Sequence, residues 1–158
     1  MPKLPEQFQG LNLLGCLFNT FIYIEISGTG GSAFRPMYAK FLDEASEILS
    51  EYQLKEGAER FRDSGKIWSE IAASALPDFW PTLKRIRELS FEKNRIFEEQ
   101  KIGALERMRN INIELDNLMK EAEKDLQKKE LAALLDDLKY KIFKCYAIEE
   151  QAFKMLSF

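Results

Sequence analysis

The sequence predicts an all-α protein, an antiparallel helical bundle of about five helices of which two are long. Two observations support this prediction. The chain of 158 residues contains no valine and is rich in leucine, alanine, glutamate and lysine, a composition that favours helix over strand. Apolar residues also recur at intervals of three and four over most of the chain, as they do on one face of a helix.

The composition suits a single folded domain over residues 1–158, since 46% of the residues are hydrophobic and 31% are charged. The net charge of −3 is small and evenly spread, so we expect no nucleic-acid partner. Cys16 and Cys145 predict two reduced thiols in a cytoplasmic protein rather than a disulfide framework. Residues 11–26 are apolar but are interrupted by polar side chains and fall short of the roughly 20 residues of a membrane span, so we expect no membrane insertion.

The first helix follows an irregular start over residues 1–7, which contains two prolines. Leu14, Leu17 and Phe18 share one helical face and predict a helix from about residue 8 to residue 24. The end of this segment, "FIYIEI", also alternates as a strand would, so helix and strand both fit residues 20–26. We favour helix, because no other segment offers a strand partner.

The glycines of "GTGGS" predict a backbone corner over residues 27–32, and a second helix follows it. Ser32 is expected to be the N-cap, and Pro36 falls in the first turn, where its missing N–H costs little. The predicted buried stripe of this helix comprises Phe34, Met37, Tyr38, Phe41, Leu42, Ala45, Ile48 and Leu49.

A third helix is predicted over about residues 54–75, and it carries small inward residues, such as Gly65, that would let a neighbour approach closely. The stretch "LPDFWP" ends it. Asp78 is expected to cap the next helix, with Pro81 in the first turn.

The pattern from Trp80 onwards is helical over a long stretch, with a helix break allowed near Gly103 because glycine weakens a helix. The charged run "KEAEKDLQKKE" predicts the end of that helix and a turn near residues 126–129. A last helix is predicted from about residue 129 to residue 155.

The absence of histidine excludes most familiar active sites. A serine or cysteine nucleophile normally needs histidine as its base, and zinc or di-iron sites usually need histidine as a ligand. Glu149 and Glu150 are the nearest carboxylate candidates for a metal, but no Glu-x-x-Glu pair lies on an inward face. We therefore expect no catalytic residue, no metal and no cofactor.

The glycine corner has two readings. "GTGGS" is not a P-loop, because no phosphate-binding lysine follows, and no βαβ unit surrounds it. A corner in which glycines adopt positive φ is the favoured reading. The alternative is an anion site at the helix N-terminus, made by Gly28, Gly30, Gly31, Ser32, Arg35 and Tyr38.

Arg35 lies between Phe34 and Pro36, so it is expected to be half-buried. A buried arginine needs an anionic partner, and Glu25 or Glu149 could supply it.

Three stretches, "GTGGSAFRPMYAKFLDEA", "RFRDSGKIWSEIAASALPD" and "YAIEEQAF", resemble the C-terminal helical domain of BtrH-like proteins of butirosin biosynthesis. The resemblance runs from about Gly10 to the end of the chain and is most specific over residues 28–42. In that family the catalytic part is an N-terminal papain-like domain with a cysteine nucleophile and a histidine. The resemblance therefore implies a stand-alone copy of the non-catalytic half, and no catalytic residue can be transferred to this chain.

We accordingly expect a non-enzymatic accessory or protein-interaction domain that forms a homodimer, with a separate papain-like acyltransferase half as a further partner. The alternative is a small-molecule binding protein that holds an anionic ligand at the glycine corner and Arg35.

Overall fold

The computed structural model of the chain describes residues 11–28, 30–99, 103–125 and 130–156. These residues form an all-α helical bundle, so the predicted fold class is confirmed. Six α-helices and one π-helical segment are present in this part of the chain: α1 (Leu11–Phe21), the π-segment (Ile22–Ile26), α2 (Gly31–Leu49), α3 (Tyr52–Ala75), α4 (Pro81–Glu99), α5 (Ala104–Asp125) and α6 (Glu130–Met155).

The segment that fitted both helix and strand is helical. α1 ends at Phe21, and Ile22–Ile26 continues from it as a π-helix. The helical stretch from Trp80, for which the sequence allowed a break near Gly103, forms two helices, α4 and α5, and Gly103 precedes α5 with a φ of 87°. The predicted irregular start at residues 1–7 and the predicted turn at residues 126–129 lie outside the described residues.

The chain divides into two compact units. Unit 1 comprises Met1–Ile22 and Ala75–Leu134, and unit 2 comprises Tyr23–Ser74 and Leu135–Phe158. The prediction of a single domain stays a prediction. None of the helices within the described ranges is both long and apolar enough to cross a lipid bilayer.

Unit 1 is built on α5, which packs against both α1 and α4. Ion pairs join α4 to α5, with Arg85 Nε 2.8 Å from an oxygen of Glu114. Among the described residues, the buried apolar side chains of this unit are those of Leu13, Leu14, Leu17, Phe21, Ala75, Leu76, Trp80, Leu83, Ile86, Leu89, Ile111, Leu115, Ala122 and Leu134.

α4 begins at Pro81 as predicted, and the Lys84 N–H donates to the Trp80 carbonyl at 2.9 Å. The prediction that Asp78 caps this helix is wrong. Asp78 instead forms an ion pair with Arg87, which lies nearly two turns into α4.

Unit 2 has a core of mostly small and aliphatic residues from α2, α3 and α6, namely Ala39, Leu42, Leu54, Ala58, Phe61 and Ala152. The prediction of close approach at α3 is confirmed at Gly65. A Cβ atom on this residue would lie 2.9 Å from Pro36 Cδ, so only glycine lets α2 pack this near to α3.

The predicted buried stripe of α2 is mostly wrong. Within that stripe, Leu42 is buried and Ala45 is half-buried, whereas its other six members are exposed. The buried residues of α2 are Leu42, which belongs to that stripe, and Gly31 and Ala39, which do not. Because small side chains let α2 lie close to its neighbours, the bulky stripe with the same periodicity remains on the surface of unit 2.

Candidate functional site

The glycine corner connects the π-segment to α2. Gly28 has a φ of 64°, the left-handed conformation predicted for a glycine of the corner, while Gly30 is the N-cap of α2 with a φ of −96°. Ser32 is therefore not the N-cap. Its hydroxyl donates to the Ile24 carbonyl and so joins the first turn of α2 to the π-segment.

Gly30 and Gly31 are required by close contacts and not by positive φ. A Cβ atom on Gly30 would lie 2.3 Å from both Ile24 Cα and the Tyr23 carbonyl oxygen. A Cβ atom on Gly31 would lie 2.1 Å from Cγ of Trp68. Positive φ is therefore found at Gly28 but not at Gly30, where the packing requires the absence of a side chain.

Arg35, one turn into α2, forms a two-pronged ion pair with Glu149 of α6. Arg35 Nε lies 2.8 Å from Glu149 Oε1, and Nη2 lies 3.0 Å from Oε2. The expected pairing of Arg35 with an acid is confirmed, and of the two acids considered the partner is Glu149. Paired forks of this kind are strong and strictly oriented.

Glu149 Oε1 also accepts hydrogen bonds from two side chains of α3. The Ser64 hydroxyl donates to it, and so does Trp68 Nε1 at 3.0 Å. The guanidinium of Arg35 also lies over the Trp68 ring, 5.3 Å from its centroid. Cys145 Sγ, one turn before Glu149, lies 3.3 Å from the Ser64 hydroxyl oxygen.

These five side chains, Arg35, Ser64, Trp68, Cys145 and Glu149, are called the polar cluster below. Four of them form two pairs spaced four residues apart, Ser64 with Trp68 on α3 and Cys145 with Glu149 on α6, and Arg35 comes from α2. Side chains at that spacing lie one above the other on a helix. The cluster therefore joins α2, α3 and α6 at one level of unit 2.

The cluster holds Glu149 as an anion and Cys145 as a neutral thiol. Burial acts to raise the pKa of Glu149, but hydrogen bonds from Arg35, Ser64 and Trp68 outweigh it and lower that pKa to about 2. Burial raises the pKa of Cys145, and the hydrogen bond between Cys145 and Ser64 opposes this only in part. A buried thiol of raised pKa is a poor nucleophile.

What the cluster does in this arrangement is to link α2, α3 and α6 through hydrogen bonds and one ion pair. Arg35 uses Nε and Nη2 on Glu149, so its charge is balanced within the protein. Within the described ranges, no group of three or more cysteine or acidic side chains is placed to hold a metal ion. The ion pair weighs against an anion site at Arg35.

A groove of about 440 Å³ opens next to the cluster. This aromatic groove is lined by Phe34, Arg35, Met37, Tyr38, Phe41, Phe61 and Phe153. Phe61 is its buried floor, with the Tyr38 ring edge-on at 4.8 Å and the Phe153 ring edge-on at 5.5 Å. Tyr38 also stacks on Phe41 at 5.9 Å.

The six residues predicted for the anion site thus separate into three places. Gly30, Gly31 and Ser32 form the packed contact at the corner, and Gly28 is an exposed turn residue. Arg35 belongs to the polar cluster, and Tyr38 lines the aromatic groove.

Sequence reasoning missed Ser64 and Cys145 in the cluster, and Phe153 in the groove. Their signal was the four-residue spacing of Ser64 from Trp68 and of Cys145 and Phe153 from Glu149. A polar residue on an apolar helical face points to a buried hydrogen-bond partner.

The fold and the site describe a helical domain with a packed glycine corner and a half-buried carboxylate. The chain belongs to the family described as a domain of unknown function (DUF4872), whose model matches residues 1–79. The described part of that match includes the corner, Arg35, Ser64 and Trp68, whereas Cys145 and Glu149 lie outside it. No match was found among curated proteins or among solved structures.

The unfolding free energy should fall as the pH drops below about 4.5, in part through Glu149. Its pKa is lowered from 4.5 to about 2 by folding, so its contribution is complete above pH 4.5 and is lost as the pH falls to about 2. The loss should approach about 3 kcal/mol, at 1.36 kcal/mol for each pKa unit. Urea unfolding across this pH range measures it.

Glu149→Gln should flatten that pH dependence, and Glu150→Gln, on the exposed side of the same helix, should leave it unchanged. An equal pH slope in the wild type and in Glu149→Gln would contradict the assignment.

Gly30→Ala should destabilise the protein more than Gly28→Ala does. The added methyl group at Gly30 overlaps backbone atoms of the π-segment, at a cost of about 3 kcal/mol or more. At Gly28 the space is open and only the left-handed φ opposes alanine, at a cost of about 1–2 kcal/mol. Calorimetric melting of both variants provides the comparison, and equal losses would refute the close-contact explanation.

Proposed function

We propose that this chain is a non-enzymatic, cytoplasmic interaction domain that binds another polypeptide through the aromatic groove. One observation carries the proposal, namely a set of large apolar side chains that remains exposed around the groove. Phe34, Met37, Phe41 and Phe153 expose between 42% and 59% of their surface. Soluble monomers rarely expose contiguous apolar patches beyond a few hundred Å².

The residue types of the groove support polypeptide binding. Phenylalanine, tyrosine and methionine are enriched at the centres of protein interfaces, whereas charged residues are depleted there. Arg35 is the only charged side chain that lines the groove in the described residues, and it is already paired with Glu149. A partner therefore meets an apolar surface without having to neutralise a charge.

The polar cluster supports a preformed groove. Tyr38 follows Arg35 by three residues and Phe153 follows Glu149 by four, so the ion pair lies about one turn from both walls. A wall held in place before binding loses less conformational entropy when a partner arrives.

The nucleophilic side chains of the cluster support a role without catalysis. Ser64 is fully buried and donates to Glu149, and Cys145 is buried with a raised pKa. The Glu149 carboxylate beside them is a weak base, since it is paired with Arg35 and its pKa is lowered to about 2.

The resemblance to BtrH-like proteins adds a separate papain-like acyltransferase half as a proposed partner. The most specific stretch of that resemblance, residues 28–42, contains the corner and the α2 wall of the groove. We regard the anionic-ligand alternative as the weaker one, because the Arg35 charge is used by Glu149.

The proposal is tested by native pull-down of the tagged chain from its source organism. The wild type should retain a second polypeptide in near-equal amount, either an untagged copy of itself or a papain-like cysteine protein. Phe41→Asp should reduce that recovery at least about tenfold, because a charge would be buried in an apolar contact.

Phe97→Asp is the matched control, since Phe97 is 65% exposed on α4 and lies outside the groove. It should leave recovery unchanged. The proposal would be contradicted if the wild type retained no second polypeptide, or if Phe41→Asp retained as much of it as the wild type does.

A further inference from the structure

We propose that the polypeptide bound in the aromatic groove is a second copy of this chain, so that α2 and α6 form the interface of a homodimer. The inference rests on the proposed function and names the partner for the same surface. It is argued from the shape of that surface, its area and the charges at its rim.

The surface combines a projecting ridge with a recess, and most of the ridge residues also line one wall of that recess. The exposed face of α2 forms a ridge of Phe34, Met37, Tyr38, Phe41 and Ile48, at spacings that keep side chains on one helical face. Next to the ridge lies the groove over Phe61, between Tyr38 and Phe153. A two-fold dimer requires one surface that offers both a projection and a recess, so that each copy inserts its ridge into the groove of the other.

The apolar face continues along α6. Tyr146 precedes Phe153 by seven residues, two helical turns, and Phe143 precedes Tyr146 by three. These side chains lie on one side of α6, and all three are more than half exposed. The groove is thus the centre of a broader surface with an aromatic stripe on each side.

The exposed apolar area of the two stripes matches the area that one partner buries in a stable dimer. The eight apolar side chains of the two stripes are between 38% and 81% exposed. A large side chain that offers roughly 150–250 Å² in full therefore offers about 100 Å² here. Eight of them supply on the order of 800 Å², the amount that each partner buries in a standard interface.

The charges at the rim also fit a second copy. Beside the α2 stripe Lys40 pairs with Glu44 at 3.9 Å, and on α6 Lys154 pairs at 3.3 Å with Glu150, which lies between Tyr146 and Phe153 on the same helical face. Two cations and two anions leave this rim with no net charge. A two-fold contact places the rim against itself, so a rim of one sign would repel its copy, whereas this one can pair with it.

Sedimentation equilibrium of the purified full chain tests the inference. The wild type should be dimeric at micromolar concentration. Phe41→Asp should raise the Kd of the dimer at least about a hundredfold, since it places a carboxylate at the centre of the contact. Phe97→Asp should change the Kd by no more than about twofold.

Met37→Glu provides a second disruption, should circular dichroism show that Phe41→Asp has lost helix. Met37 is 59% exposed and contributes nothing to the buried core, so this variant should fold and should also be monomeric.

Three outcomes would overturn the inference, and they separate it from the proposed function. If the pure chain is monomeric but the tagged chain captures a papain-like protein in a Phe41-dependent way, only the second-copy inference fails. If it is monomeric and captures nothing, both fail. If the wild type is a dimer that Phe97→Asp disrupts and Phe41→Asp does not, the dimer uses another face and the inference fails.

Discussion

The Glu149 carboxylate is the group on which the arrangement of unit 2 depends. It accepts hydrogen bonds from Arg35 of α2 and from Ser64 and Trp68 of α3. A partly buried ion pair adds little stability compared with apolar side chains in its place, because desolvation offsets much of the Coulomb attraction, but removing the charge of one partner alone is strongly destabilising. Its effect is on register. If one helix slipped by a turn, a charge would remain unpaired in the interior, and so the cluster fixes how three helices align.

Two neighbouring features follow from that register. Trp68 is held by Glu149 and lies against the start of α2, which leaves no room for a side chain at Gly31. On the other side of the ion pair, Tyr38 and Phe153 are brought to the two sides of Phe61. The close contact at Gly31 and the position of the groove walls thus both follow from the hydrogen bonds that Glu149 accepts.

The sequence was sufficient for features that depend on local chemistry. Composition and periodicity predict an all-α fold, Pro81 marks a helix start, and the need of a half-buried arginine for an anion points to Glu25 or Glu149. The sequence was insufficient where tertiary packing decides. Periodicity identifies the apolar stripe of α2 but does not show whether a neighbouring helix covers it. In the structure most of that stripe is exposed, and small residues such as Ala39 lie on the buried face. A glycine required by close contact, as at Gly30, cannot be told in the sequence from one required by positive φ.

The most direct test of docking through α2 and α6 is amide hydrogen exchange of the wild-type chain at low and at high protein concentration. Exchange reports local opening, which a bound partner suppresses. We expect the amides of α2 and of the second half of α6 to exchange more slowly at high concentration, while those of α4 and α5 stay unchanged. Identical exchange at both concentrations, or slowing confined to α4 and α5, would contradict the aromatic groove as the interface.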